Sequence, residues 1–364
     1  MVHPADYLTS VPLIPLYGHD SLRTRLAAQA ADGTLPASLL LQGAAGIGKQ
    51  RLALWLGQVL LCGADGERPC GLCENCKYSL QLQHPDLRWF FPRPRIAVGT
   101  DPALEEVQSD YEETIAGRVK ANGLYPRPDG STGIFLHVSR LLAQMASRSP
   151  ALARRKVFVF GDAERLVPQA ANPEAANALL KLLEEPPSDT TFILTSSEPG
   201  LLLPTIRSRV VSVRMSPLSE AAMRKFVSDP FAQEVLPNQV PDNLLRVANG
   251  APGTLIGAAD RTAAVKRAEH LLAAADGGRE QMLRAAFSAS AGKARGAFSD
   301  VLDALTVLLH ERAHAATACG DDRTARRAVK AVPAVEAAKR SAEGNVNPQL
   351  VTARLLQQLS EAGR

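Results

Sequence analysis

Four short apolar runs punctuate the first 216 residues: "ASLLLQG" ending at Gly43, "KVFVF" (Lys156 to Phe160), "TFILTSS" (Thr191 to Ser197) and "VVSVRM" (Val210 to Met215). Each is a continuous apolar block of strand length, the pattern of a strand buried on both faces. Helical patterns alternate with them: "SLRTRLAAQAADG", "RLALWLGQVLLC" (Arg51 to Cys62), a stretch near His137 to Arg148, and "NPEAANALLKLLEEPP" (Asn172 to Pro187). The last is stopped by two prolines, which cannot continue a helix. Such alternation predicts an α/β domain, a mostly parallel sheet with helices on both faces.

Elsewhere the pattern changes. Pro92 to about Gly133 is irregular and rich in Pro and Gly, around one acidic stretch with a helical look, "PALEEVQSDYEE". After Pro217 strands cease, and Ala-rich helical sequence is broken by "DPFAQEVLPNQVPDN", "NGAPG" and "EGNVNP". The expected organisation is an α/β domain over residues 1–216, a small helical domain over 217–262 and an all-helical domain over 263–364.

A length of 364 residues suits two or three such domains. The net charge of +4 is too small to argue for nucleic acid by itself. The basic runs "ARRK" (Ala153 to Lys156) and "RTARRAVK" (Arg323 to Lys330) read as solvated faces. No apolar run is long enough to span a membrane, and the opening "MVHPADYLTS" has no basic start and no apolar signal core, so the chain reads as cytoplasmic. In that compartment its cysteines are expected as metal ligands rather than disulfides.

Two motifs carry chemistry. The first is "GAAGIGKQ", in strand–loop–helix context: Gly43, Gly46, Gly48 and Lys49 match the phosphate-binding pattern G-x-x-x-x-G-K-[ST]. Backbone N–H groups in such a loop converge on phosphate oxygens, and the lysine places a point charge on the terminal phosphates. Gln50 stands where a compact hydroxyl should hold Mg²⁺. Hydrolysis further needs an acidic pair at the end of a neighbouring strand. After "KVFVF" those positions hold Gly161 and Asp162, and Asp162 is expected to cap the following turn. With both metal-holding parts missing, ATP hydrolysis is not expected here, while weak binding of ATP or ADP by the glycines and Lys49 stays open.

The second motif is "CGADGERPCGLCENC", which spaces Cys62, Cys70, Cys73 and Cys76 as C-x7-C-x2-C-x2-C. Four thiolates close a tetrahedral coordination sphere and leave no position for substrate, so a structural Zn²⁺ is expected. Redox chemistry and an iron–sulfur cluster are the competing readings. Cys319 stands alone.

The stretch "PLYGHDSLRTRLAAQAADGTLPASLLLQGAAGIGKQ" resembles the opening of bacterial clamp-loader AAA+ subunits. The four-cysteine insertion is similar to theirs, as are "ANALLKLLEEPPSDTTFILTSSEPGLLLPTIRSRV" and the ending "NVNPQLVTARLLQQL". That family implies an AAA+ P-loop domain, a helical lid and a helical collar that joins a five-subunit ring. It also implies as partners the motor gamma/tau and delta subunits of DNA polymerase III and, through the ring, the sliding clamp and primed DNA. Gln50 and Gly161-Asp162 depart from the motor pattern, so the resemblance implies a non-motor stator without independent catalysis. The family's Ser-Arg-Cys element falls on Ser208, Arg209 and Val210, which implies that Arg209 reaches a neighbour's ATP in trans, with Arg207 as fallback. Taken without the resemblance, Arg209 reads as a helix cap or a local ion-pair partner. The "NGAPGTLIGAAD" segment lacks the arginine that senses bound nucleotide in motors, and Ser196 and Ser197 occupy the polar sensor position.

Two further classes remain open at this stage. One is an active P-loop ATPase using Lys49 and Asp162 with unusual metal ligation. The other is a zinc-dependent module that touches nucleic acid through the cysteine loop.

Overall fold

The computed structural model describes residues 13–94, 102–125, 132–166, 174–236, 240, 245, 248, 249–256, 258–288, 295–343 and 347–361. They form two compact units, one up to Ile256 and one from Ala258 onward.

In the first unit five parallel strands make a single sheet in the order β2-β3-β4-β1-β5. The strands are β1 (Ser38–Gln42), β2 (Leu87–Phe90), β3 (Lys156–Phe160), β4 (Thr190–Ser196) and β5 (Val211–Arg214). Register places Leu40 beside Leu194 and Phe158 beside Phe192, whose rings stack at 5.5 Å. Every residue of β3 and β4 is buried, as their unbroken apolar runs demand. At the β5 edge, Val213 is buried while its three strand neighbours are exposed.

Helices α1 (Asp20–Ala31), α2 (Lys49–Leu61), α3 (Glu74–Leu80), α4 (Leu104–Lys120), α5 (Leu136–Ala146), α6 (Glu174–Glu184) and α7 (Pro204–Arg207) connect the strands. Leu52, Ala53 and Leu56 of α2 are fully enclosed in the sheet core. Two elements exceed the expectation. The strand β2 is not among the four apolar runs, and the helix of the acidic stretch extends beyond it to 17 residues.

The same unit carries a small helical layer, α8 (Glu220–Val227) and α9 (Pro230–Val235). Ser219 caps α8 by accepting from the Ala222 N–H, and Asp229 accepts from the Phe231 N–H ahead of α9, whose first residue is Pro230. Leu218, Met223, Phe226, Ala232, Leu236 and Leu255 form its core together with Ile14 and Leu124.

The described regular elements of the second unit are all helices: α10 (Ala258–Asp276), α11 (Arg279–Phe287), α12 (Arg295–Ala318), α13 (Asp322–Glu343) and α14 (Pro348–Glu361). Its core is Leu302, Leu305, Val335, Leu355 and Leu356 among many alanines, whose small side chains let the helices approach closely. The basic run of α13 is mostly exposed, and Arg327 pairs with Asp276. No helix among the described residues is long and apolar enough to cross a membrane.

Candidate functional site: a filled phosphate loop, a thiol cluster and a paired arginine

Strands β1, β3 and β4 end at one edge of the sheet, where ligands of open parallel sheets bind. From β1 the chain passes through Gly43 to Gly48 into α2, whose first residue is Lys49. Gly46 and Gly48 take φ of +81° and +92°, a curl that side-chain-bearing residues resist. Lys49 is buried, and its ammonium donates to Gly43 O (2.9 Å), Ala44 O (2.8 Å) and Ser197 Oγ (2.9 Å). The Ser197 N–H donates to Glu164 Oε1 at 3.0 Å. The "NGAPG" turn lies directly on the loop: the Gly253 N–H donates to Gly46 O at 2.9 Å. A Cβ on Gly46 would stand 2.9 Å from Thr254 Cγ2 and 3.0 Å from Thr254 N. The loop is thus curled by its glycines, its lysine is held by protein oxygens and its rim is covered by the Gly253–Thr254 turn.

On the metal side Gln50 occupies the hydroxyl position. Its Oε1 accepts from Trp89 Nε1–H at 3.1 Å, and its Nε2 donates to Asp162 Oδ2 at 3.3 Å. A Cβ on Gly161 would lie 2.4 Å from Gln50 Oε1 and 2.5 Å from its Cδ. The amide therefore fills the volume in which the first acid of a hydrolytic pair would begin, so the two departures from the motor pattern are one steric arrangement. Asp162, at φ 48°, precedes the turn Ala163–Arg165 as expected, but its side chain makes no capping bond and faces Gln50 instead. Its N–H donates to Thr195 Oγ1 at 3.1 Å.

Behind Trp89 lies the segment that had no role in the sequence reading. Arg118, from α4, places its guanidinium 4.6 Å from the Trp89 ring centre, 3.4 Å from Phe91 and 3.9 Å from Tyr125. Stacking on aromatic faces offsets part of the cost of burying that charge. Burial holds the Arg118 pKa below its usual value and pushes Tyr125 up to about 12. Arg118 Nη1 is buried without a hydrogen-bond partner. Trp89, Arg118 and Tyr125 are the residues sequence reasoning missed; "RWFF" was their only signal.

The four cysteines converge. Cys62 closes α2, Cys73 opens α3, Cys76 lies within it and Cys70 sits in the loop between. Their sulfurs all lie within 4.8 Å of one another, with Cys62–Cys73 and Cys70–Cys76 each at 3.9 Å. Thiolates about 2.3 Å from one tetrahedral ion stand about 3.8 Å apart, so the donor set fits a single metal ion. Backbone N–H groups of Cys73 and Leu72 pull the Cys70 thiol down to about 6, favouring the thiolate that binds metal, whereas burial pushes Cys76 up. Asn75 Nδ2 donates to Leu61 O at 2.8 Å and anchors the module to α2. His84 holds Asn75 Oδ1 at 3.2 Å, and its Nδ1 accepts from the Asp86 N–H at 3.0 Å. Cys319 is exposed and belongs to the other unit.

Arg209 follows α7. Its Nη1 donates to Thr205 O at 2.8 Å and Ser208 Oγ at 3.2 Å, and its Nη2 pairs with Glu184 at the end of α6. Within the single chain it is both a helix-end cap and an ion-pair partner. Arg207 is exposed, and Val210 is buried in the sheet core.

Fold and site together define an α/β chain with a glycine loop of phosphate-binding pattern, a glutamine seated between that loop and Gly161, and a cluster of four thiols. The chain belongs to the family described as DNA polymerase III, delta subunit, whose model matches residues 18–219. It is 32% identical over 216 residues to DNA polymerase III subunit delta' of Pseudomonas aeruginosa, covering 59% of this chain and 53% of that one. Identity to the Haemophilus influenzae subunit delta' is 31% over 172 residues, 47% of this chain and 40% of that one. The chain thus spans about half the length, or less, of these curated relatives. Among solved structures, a DNA polymerase III gamma subunit-related protein of Thermotoga maritima aligns with a TM-score of 0.45 at 17% identity, over 93% of this chain and 99% of its own.

Proposed function

We propose that this chain is a non-motor subunit of a DNA polymerase III clamp loader. In this reading it takes its place in a ring of AAA+ subunits with gamma/tau and delta partners and helps load the sliding clamp on primed DNA. Its own loop does not hydrolyse ATP, and Arg209 serves the nucleotide of the neighbouring subunit. The observation that carries the reading is the Gln50 amide seated against Gly161, in the volume a metal-supporting acid would enter. The separate cores of sheet, small helical layer and second unit support a P-loop domain, a lid and a collar, with the collar starting after Ile256 and not at 263, which lies inside α10. The thiol cluster would hold a structural Zn²⁺ through Cys62, Cys70, Cys73 and Cys76 and fix the loop between α2 and α3; a closed four-sulfur shell offers no catalytic position.

The test has two arms. The purified chain should show no ATP turnover. In a reconstituted loader, Arg209→Ala should cut clamp-dependent ATPase activity, since an arginine of this kind is worth about 10³–10⁵ in turnover at the site it completes. Turnover by the isolated chain that Lys49→Ala abolishes would overturn the non-motor reading. Wild-type loading with Arg209→Ala would remove the role in trans.

A further inference from the structure

The arginine assigned to a neighbour's nucleotide is not free to meet it as it stands. A guanidinium has five N–H donors. On Arg209 the two of Nη1 go to Thr205 O and Ser208 Oγ, one of Nη2 goes to Glu184, and Nε is buried without a partner. A single Nη2 donor remains for any group arriving from outside. Bidentate capture of phosphoryl oxygens, the mode that gives arginine its value at phosphates, needs two. An incoming phosphate would also face the Glu184 carboxylate held against the same guanidinium edge.

Glu184 is the last residue of α6, ahead of the prolines at 186 and 187. A carboxylate there sits at the negative end of the helix and gains from a nearby cation. The pair is only partly covered, with Glu184 46% and Arg209 31% exposed at the side chain, so it is a weak tie in water. A weak, solvent-near pair can be exchanged for a multiply charged phosphoryl group, whereas a buried one could not.

We propose that Glu184 is a latch on Arg209: it stores the guanidinium in the unengaged chain and must let go before a nucleoside triphosphate held by a neighbouring subunit can bind it. Glu184 is a positioning residue, acting only through Arg209. The inference rests on the role in trans proposed above.

The experiment uses the reconstituted loader with ATP as the probe, comparing wild type, Glu184→Gln, Arg209→Ala and the double variant, with thermal unfolding of each chain as a control. Glutamine keeps the shape of the side chain and removes the charge. Glu184→Gln should raise kcat/KM for ATP by about twofold to fivefold, the range a partly exposed ion pair covers. A fall in KM at constant kcat places the release before chemistry, and a rise in kcat places it in the transition state. The gain must vanish when Arg209→Ala is added. An unchanged or lower kcat/KM in Glu184→Gln, or a gain that persists without Arg209, overturns the latch. Arg209→Ala with full activity instead removes the role in trans itself, so the two failures are distinguishable.

Discussion

Gly161→Ala is the sharpest test of the filled site. Gly161 needs no unusual backbone; what forbids a side chain is Gln50, whose three amide atoms would lie 2.4 to 2.7 Å from a new Cβ. Because that amide is the end of a flexible side chain, it would swing away rather than force the strand apart. Its departure breaks the bonds to Trp89 Nε1 and Asp162 Oδ2. Each is worth about 1 kcal/mol, and a buried indole N–H left without a partner costs about 1–3 kcal/mol. The expected loss for Gly161→Ala is therefore about 2 kcal/mol. Gln50→Ser should cost a similar amount, since it strips the same two bonds. In the double variant the Ala methyl enters vacated space, so the two losses should overlap instead of adding. A double-mutant cycle by urea denaturation should give a coupling of about 1–2 kcal/mol. Additive losses, or a neutral Gly161→Ala, would refute the claim that glutamine and glycine are one arrangement.

Protein purified without chelator should carry about one zinc per chain, set by the four-sulfur shell. Cys73→Ser or chelation should remove it and lower the unfolding temperature, and metal-free protein of unchanged stability would count against the site. In metal-free protein, the part of the stability that His84 contributes should be lost as pH drops below about 6.5, on top of the loss from Cys70. Burial depresses the His84 pKa, so the folded state keeps the imidazole neutral while the unfolded chain takes up the proton. That contribution is fully present above the unfolded value and is lost as pH falls towards the folded one. His84→Gln should flatten this part of the pH profile of unfolding temperature, and an identical slope in the variant would exclude His84 as its source.

What the sequence made legible follows from how each element is buried. Strands β1, β3 and β4 lie inside the sheet, so their apolar blocks are continuous and easily seen. β2 is a sheet edge of four residues, and Arg88 in its middle breaks the run. The cysteine spacing announced its own convergence, because C-x2-C steps bring sulfurs together locally. Gln50 could be recognised as a departure but not as a plug, since Trp89 and Gly161 reach it only through the tertiary fold. Arg209 carries two readings in the sequence, and the single chain displays the local one.

The insertion after β2 changes what kind of body the first unit is. Asn122 O receives the Ile14 N–H at 2.8 Å, Leu124 lies in the core of the small helical layer, and Arg118 is stacked behind the tryptophan that holds Gln50. One short stretch is thereby fastened to the N-terminal segment, to the helical layer and to the end of the sheet. A swing of α8 and α9 away from that stretch would have to strip Leu124 and Ile14 from their shared core. The position of the helical layer is thus cross-braced by backbone and side chains that lie outside the glycine loop.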